Sequence, residues 1–332
     1  YTMRNERGSE VQLCNIGASI VSVKFADRNG KVDDVALGYA EPTSYIGDGA
    51  ASGKSVGRVA GRIARGHMVV DGVEYRLEVN NGPNHLHGGS KGFANRYWEG
   101  RVETNRVVFS YISEDMEQGY PGELIVEAVY DFDDEDNLEI TYLAKSNKTT
   151  VVNLTNHLYW NLHGEGSGKS ILDHELHLNC SKVLEMDTVQ IPTGKLLDVK
   201  GTALDFTQWR RFGDDIDSEF NNIRTYRGYD HCFAVDGFER NILKEVGELR
   251  CEATGRSVTI LSSQPAAVLY TGNWLSGGCP KTKSQSYYDD YAGVAIECQG
   301  FSDAVNHPEF PSIELAAGEL YCQKIVFKLG TF

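Results

Sequence analysis

No apolar run in this 332-residue chain approaches the roughly 18 residues that a membrane-spanning helix needs, so no membrane span is expected. Basic residues are in the minority, 32 Lys+Arg against 47 Asp+Glu, for a formal net charge of −15. That balance argues against a nucleic-acid partner, because phosphate binding needs a basic face. Cysteines number seven, an odd count, and none forms a Cys-x-x-Cys pair. A disulfide scaffold is therefore excluded, and reduced thiols in a cytoplasmic protein fit the pattern. The start, Tyr1-Thr2-Met3-Arg4, has no signal-peptide core. It also has no leading Met, so the natural N-terminus is expected to lie upstream. In such a chain the Asn-x-Ser/Thr matches at Asn147, Asn153 and Asn179 are read as accidental. Spacings of three and four are scarce; Thr207–Phe212 is the one stretch expected to form a turn or two of helix. No interior linker rich in Pro, Gly or Ser and no repeat of 20–50 residues interrupts the chain, which is expected to be one domain, 1–332.

What the sequence does hold is alternation. Arg106–Ile112, Leu124–Phe132, Leu138–Leu143, Ser257–Leu261, Ala267–Tyr270, Val294–Cys298 and Lys324–Lys328 repeat with period two. Such runs place alternate side chains on opposite faces of a sheet. The 35 glycines punctuate them, as turns between many strands require. The acidic run Asp133–Asn137 joins two of these runs and is read as a solvated hairpin loop. The predicted fold class is all-β, a large antiparallel sandwich with few short helices.

Five polar segments stand out from the turns. Gly57–Gly66 carries Arg58, Arg62 and Arg65 among three glycines that make a helix poor. It reads either as a loop offering one guanidinium to a ligand or as surface arginines in weak ion pairs. His85 and His87 are two apart, on one side if the segment is a strand. With no carboxylate in Gly88–Asn95, one functional histidine beside a structural one fits better than a metal pair. In Asn153–Leu162, alternation sets Asn153, Thr155, His157, Tyr159 and Asn161 opposite Leu154, Asn156, Leu158, Trp160 and Leu162. That is a polar face over an apolar one, either a site or a half-exposed strand. Asp230, in Gly228–Phe233, could accept hydrogen bonds from hydroxyls or simply open a strand. Glu297 interrupts an apolar run and shares a face with Ala295 and Gln299. A carboxylate so placed is ion-paired or tuned for proton transfer. No Walker loop, dinucleotide glycine fingerprint or Gly-x-Ser-x-Gly elbow is present. What remains is a His/Glu/Asp/Arg set needing neither metal nor cofactor, suited to proton transfer on a neutral polyol.

Taken in order, these segments resemble the aldose 1-epimerase (galactose mutarotase) family. The resemblance rests on Gly57-Arg58, Arg62-Ile63, His87-Gly88-Gly89 and Asn153–His157. It continues through Asp230-His231, Gln264-Pro265, Tyr270–Asn273, Glu297, Asp303–Pro308, Phe310-Pro311 and Gly318-Glu319. It covers about residues 17 to 328, and eight ordered weak motifs are together specific.

The resemblance implies a galactose mutarotase-like supersandwich and interconversion of the α and β anomers of a hexose such as glucose or galactose. It implies no metal and no cofactor, with a small sugar as partner. By motif, Glu297 is the expected general base, His157 the general acid, and His87 an assistant near the ring oxygen. Arg62 and Asp230 are the expected holders of sugar hydroxyls. Acid and base are expected on opposite sides of the ring, with mutual attraction lowering the pKa of Glu297 and raising that of His157. Trp160 or Tyr159 is the expected stacking aromatic. Two departures put the physiological sugar in question: Gly61 where the family often has Asn, and Val268 where it commonly has Gln. Alternatives are a hexose-6-phosphate 1-epimerase, with Arg58, Arg62 and Arg65 as candidate cations, and a sugar-binding homologue without turnover.

Overall fold

The computed structural model describes residues 1–332. Its frame is two large antiparallel sheets. The nine-stranded sheet runs in the order Glu99–Glu103, Arg106–Ser113, Leu124–Phe132, Asn137–Ser146, Leu320–Thr331, Arg256–Ser262, Lys244–Cys251, Glu175–Leu178 and Arg210–Arg211. The six-stranded sheet runs Tyr159–Trp160, Val294–Gln299, Ala266–Tyr270, Asp230–Ala234, Lys182–Met186 and Pro192–Asp198. A four-stranded sheet at the N-terminus (Thr2–Arg4, Glu10–Cys14, Ser19–Ala26, Val32–Asp34) packs into the same core.

Alternation explains the layering. Leu124, Val126, Ala128, Tyr130 and Phe132 point into the core, as do Leu138, Ile140, Tyr142 and Ala144 on the neighbouring strand. The outward residues Glu127, Asp131 and Glu139 remain partly exposed. Phe233, Ala267, Leu269, Ile296, Cys298 and Trp160 from the six-stranded sheet meet this face, and Trp160 packs edge-on against Phe327 at 5.1 Å. Asp133–Asp136 forms the predicted hairpin loop between Leu124–Phe132 and Asn137–Ser146.

The helical expectation at Thr207–Phe212 is corrected. That stretch is irregular up to the two-residue strand Arg210–Arg211 and then enters a 3-10 turn, Phe212–Asp214. The helical pieces of the fold are eight such turns of three or four residues. Phe212 is buried in the core from the 3-10 turn, so tertiary burial decided the backbone.

The far face of the six-stranded sheet is overlaid by loops rather than by another sheet. Two buried cations hold these loops. Lys54 and Asp48 form an ion pair whose side chains are both 0% exposed. Asp48 also accepts from Tyr39 Oη at 2.9 Å and from the Ser52 N–H at 3.1 Å. The segment they tie down pairs with the chain around His157: Ser55-Val56 with Thr155-Asn156, and the Lys54 carbonyl with the His157 N–H at 2.9 Å. Arg58 is not a surface arginine. Its guanidinium donates to the carbonyls of Pro121 and Gly122 at 2.8 and 2.9 Å and to Ser113 Oγ at 2.6 Å, 1% exposed as a residue.

Removing one member of a buried pair leaves the other charge without compensation. Lys54→Met is expected to cost about 3–5 kcal/mol of unfolding free energy, read as a lower urea midpoint with an unchanged slope. A loss under about 1 kcal/mol, the scale of a surface pair, would contradict this account.

Candidate active site

The strand pairing of the six-stranded sheet puts one set of side chains on the loop-covered face. Asp230 lies opposite Tyr270, and Tyr270 opposite Ala295, which in turn faces Tyr159. Two residues along each strand come Cys232, Val268 and Glu297 in one row. This face floors a cavity of about 450 Å³, inside the range of small-ligand sites. All five residues proposed from sequence line it: Arg62, His87, His157, Asp230 and Glu297.

His157 Nε2 lies 3.3 Å from Glu297 Oε1, with the residues 5% and 2% exposed. His157 Nδ1 and Glu297 Oε2 have no partner in the protein. The His157 ring packs against Tyr159 at 4.8 Å and stands edge-on to His87 at 5.6 Å. His87 is not part of a strand with His85. The strand His85–Leu86 ends before it, and His87 takes a left-handed φ of 53° that swings its ring to the cavity. His85 is instead structural, its Nε2 2.6 Å from Tyr120 Oη and its Nδ1 2.7 Å from the Glu78 carbonyl. The Gly61 N–H donates to His87 Nδ1 at 3.2 Å, so in the neutral ring Nε2 carries the hydrogen and is a donor.

Arg62 and Asp230 form a second cluster. The Arg62 guanidinium lies 3.7 Å from Asp230 Oδ2 and donates from Nε to Asn81 Oδ1 at 3.2 Å. Gln190 bridges them, accepting from Arg62 and donating to Asp230. Arg65 points elsewhere, into a separate surface groove with His67 and Arg76.

Three expectations are corrected here. Glu297 and His157 are neighbours, not groups facing each other across a ring. Both can therefore reach the two oxygens bonded to one carbon. Their pKa directions are also opposite to those expected. Burial, with the Asp230 charge adding to it, pushes Glu297 well above the ordinary carboxylate value. Burial pulls His157 down to about 4 and His87 well below the usual imidazole range. Burial disfavours the charged form of each group. Finally, Trp160 faces the core, leaving Tyr159, Tyr270 and Trp274 as the cavity aromatics.

In Asn153–Leu162, the apolar set Leu154, Leu158, Trp160 and Leu162 enters the core as alternation predicts. Only residues 155–156 and 159–160 are strand, and both faces are buried. Asn153 serves structure, accepting from the Gly300 N–H at 2.7 Å. Gln190, Asn81, Ser302 and Trp274 also line the cavity and were missed. Gln190 sits in a turn between strands, where no pattern marks it. Gln299 was placed on the face of Glu297 by alternation but given no role.

Two residue sets bring metal-ligand types together: His87, His157 and Glu297, and away from the cavity His163, His174 and Cys251. In each, a backbone N–H already occupies one imidazole lone pair, Gly61 on His87 Nδ1 and Leu162 on His174 Nε2 at 2.9 Å. The remaining ring nitrogen then bears the proton, which leaves neither histidine a free lone pair for a metal.

A family model described as aldose 1-epimerase matches residues 1–328. The galactose mutarotase of Bos taurus is 41% identical over 320 residues, covering 96% of this chain and 91% of that protein. The aldose 1-epimerase of Escherichia coli K12 is 36% identical over 327 residues, 96% of this chain and 92% of that one. Among solved structures, an aldose epimerase homologue from C. elegans superposes with a TM-score of 0.90 at 30% identity, covering 99% and 98% of the two chains. A galactose 1-epimerase from Lactobacillus acidophilus NCFM gives 0.84 at 28%, covering 99% and 93%. The chain belongs to the aldose 1-epimerase family. Its activity is aldose 1-epimerisation, an isomerase reaction on a carbohydrate.

Because its folded pKa is raised, Glu297 keeps its proton where the unfolded chain has lost it. Its contribution to stability is complete below the ordinary value near 4.5 and declines as pH rises toward the folded value. Glu297→Gln keeps the shape and cannot ionise. Its melting temperature relative to wild type is expected to climb as pH rises above about 4.5. A difference that stays flat or falls over that range would contradict a carboxyl held neutral by burial.

Proposed function

We propose that the cavity interconverts the α and β anomers of an unphosphorylated hexose of the glucose/galactose class, with Glu297 as base and His157 as acid. The observation that carries this is the 3.3 Å His157–Glu297 contact at the buried floor of the cavity. A cyclic aldose carries O1 and O5 on the same carbon. A base and an acid side by side can serve both oxygens in one bound pose.

Glu297 takes the O1 proton as the C1–O5 bond breaks, C1=O1 forms, and O5 takes the proton of His157. The open-chain aldehyde turns about C1–C2 by half a rotation. O5 then adds to the other face of the carbonyl, its proton returns to His157, and Glu297 returns a proton to O1. The pair holds one proton throughout the open-chain stage, on Glu297, with His157 neutral. Burial favours this same state in the empty site. Reaction from the closed sugar needs the proton moved onto His157, a transfer along the Nε2···Oε1 contact that changes no net charge. Each positioned proton transfer contributes roughly 10²–10⁴ in rate.

The Nε2–H of His87 is a donor for the ring oxygen, and Arg62 with Asp230 offers donors and an acceptor for ring hydroxyls. Only one arginine faces the cavity, and it is engaged by Gln190 and Asp230. That supports an unphosphorylated sugar. A core cluster of 55 residues shared by both large sheets supports reading 1–332 as one domain. All seven cysteines are free, in keeping with a cytoplasmic location.

Polarimetry on fresh α-D-glucose and α-D-galactose tests the reading. Wild type is expected to equilibrate at least one of them faster than buffer. Glu297→Gln and His157→Gln should each lose roughly 10²–10⁴ in kcat/KM while remaining folded. Full activity in Glu297→Gln would refute the base assignment.

A further inference from the structure

Gln190 stands in the turn at 187–191, between the strands Lys182–Met186 and Pro192–Asp198. The turn is pinned from inside and outside. Asp187 Oδ1 accepts from the N–H groups of Val189 and Ile191, each at 2.9 Å, and the Val189 carbonyl accepts from Asn84 Nδ2 at 3.1 Å. Within it Gln190 has a φ of +63°. Glycine adopts that conformation freely, and a residue with a Cβ does so at a cost. The backbone alone therefore favours glycine here, and a long amide in its place points to work done by the side chain.

Gln190 is partly exposed and lines the cavity. A guanidinium only donates and a carboxylate only accepts, so its two contacts orient the amide, Oε1 toward Arg62 and Nε2 toward Asp230. The Arg62 and Asp230 side chains are 14% and 18% exposed and line the same cavity, so the cluster is open to it rather than sealed beneath it. An amide offers two hydrogens and two lone pairs. After the bridge, one N–H and one lone pair of Gln190 have no partner in the protein.

Asp230 and Glu297 lie on strands separated by Ala266–Tyr270, which sets them about 10 Å apart across the sheet. An amide held at Asp230 thus meets a part of the sugar remote from the carbon that reacts over Glu297. Val268, paired with Glu297, adds no polar atom nearer the base.

We propose that Gln190 is a specificity-determining residue whose amide makes a hydrogen bond to a sugar hydroxyl other than the one at C1. Arg62 and Asp230 hold the amide in place, and its free N–H and lone pair meet the sugar. This rests on the cavity being the epimerisation site and deepens that reading by naming where the sugar is sorted.

The test uses the full chain, wild type and Gln190→Leu, with anomer exchange followed by proton NMR on glucose and its 2-, 3-, 4- and 6-deoxy analogues. Wild type is expected to show KM raised about tenfold for one of the four. Gln190→Leu should show KM for glucose raised by about the same factor, with kcat changed by less than about threefold, and no further loss on that one analogue. If the leucine variant does not fold, Gln190→Gly, which suits the left-handed φ, carries the same readout. An active wild type indifferent to all four deoxy positions, or a KM that neither variant moves, overturns this proposal alone. So does a variant that still loses about tenfold on the sensitive analogue, because Gln190 would then act only by holding Arg62. A wild type that equilibrates no sugar overturns the function reading and this inference with it.

Discussion

A carboxyl and an imidazole 3.3 Å apart and shut off from water hold one proton between them easily and two separated charges only at high cost. The rest of the cavity serves that contact. In the mechanism we propose, the position of the proton, on Oε1 or on Nε2, distinguishes the open-chain stage of the reaction from its starting state. Net charge is the same in both. A chemistry that moves protons around one carbon is well matched to a pair that can exchange roles without drawing a charge from solvent.

The contact exists because two parts of the chain are held independently. Glu297 sits on a strand with neighbours on both sides, so its backbone position is determined by the sheet. His157 falls between two short strands and is held instead by the segment Gly53–Val56. That segment depends on the buried Lys54–Asp48 pair. Arg58 ties the adjoining loop to the turn at Pro121-Gly122. These cations have structural work, which leaves Arg62 as the guanidinium available to the cavity. The departures at Gly61 and Val268 then acquire a local meaning. Gly61 opens space that Ser302 and Gln299 occupy, and Val268 leaves the row beside Glu297 apolar.

Much of the fold was legible because a two-residue period has one physical reading. Leu124–Phe132 and Val294–Gln299 are strands at nearly the predicted bounds, and alternate residues (Leu124, Val126, Ala128, Tyr130 and Phe132; Val294, Ile296 and Cys298) face the core. Thr207–Phe212 was misread because a few apolar and basic residues cannot distinguish a helical turn from an irregular segment pinned by one buried phenylalanine. In the site, Glu297 stood out inside its apolar run and His157 lay on a polar face over an apolar one, while Asp230 gained a role only from the ordered family motifs. Gln190, Asn81 and Trp274 did not stand out. They sit in turns, where polar residues are ordinary and only the folded cavity singles them out.

The sequence by itself determined which residues have chemistry to offer and on which sheet face most of them lie, because alternation and apolar context are local properties. It also determined the family, through ordered motifs spread over nearly the whole chain. Tertiary structure alone decided how those residues meet. It made Glu297 and His157 neighbours, turned Arg58 into a structural tie, and left His87 a ring donor. It also reversed the expected pKa directions of the pair. Those outcomes depend on distance and on exclusion of water, and both are set by residues far away in the chain.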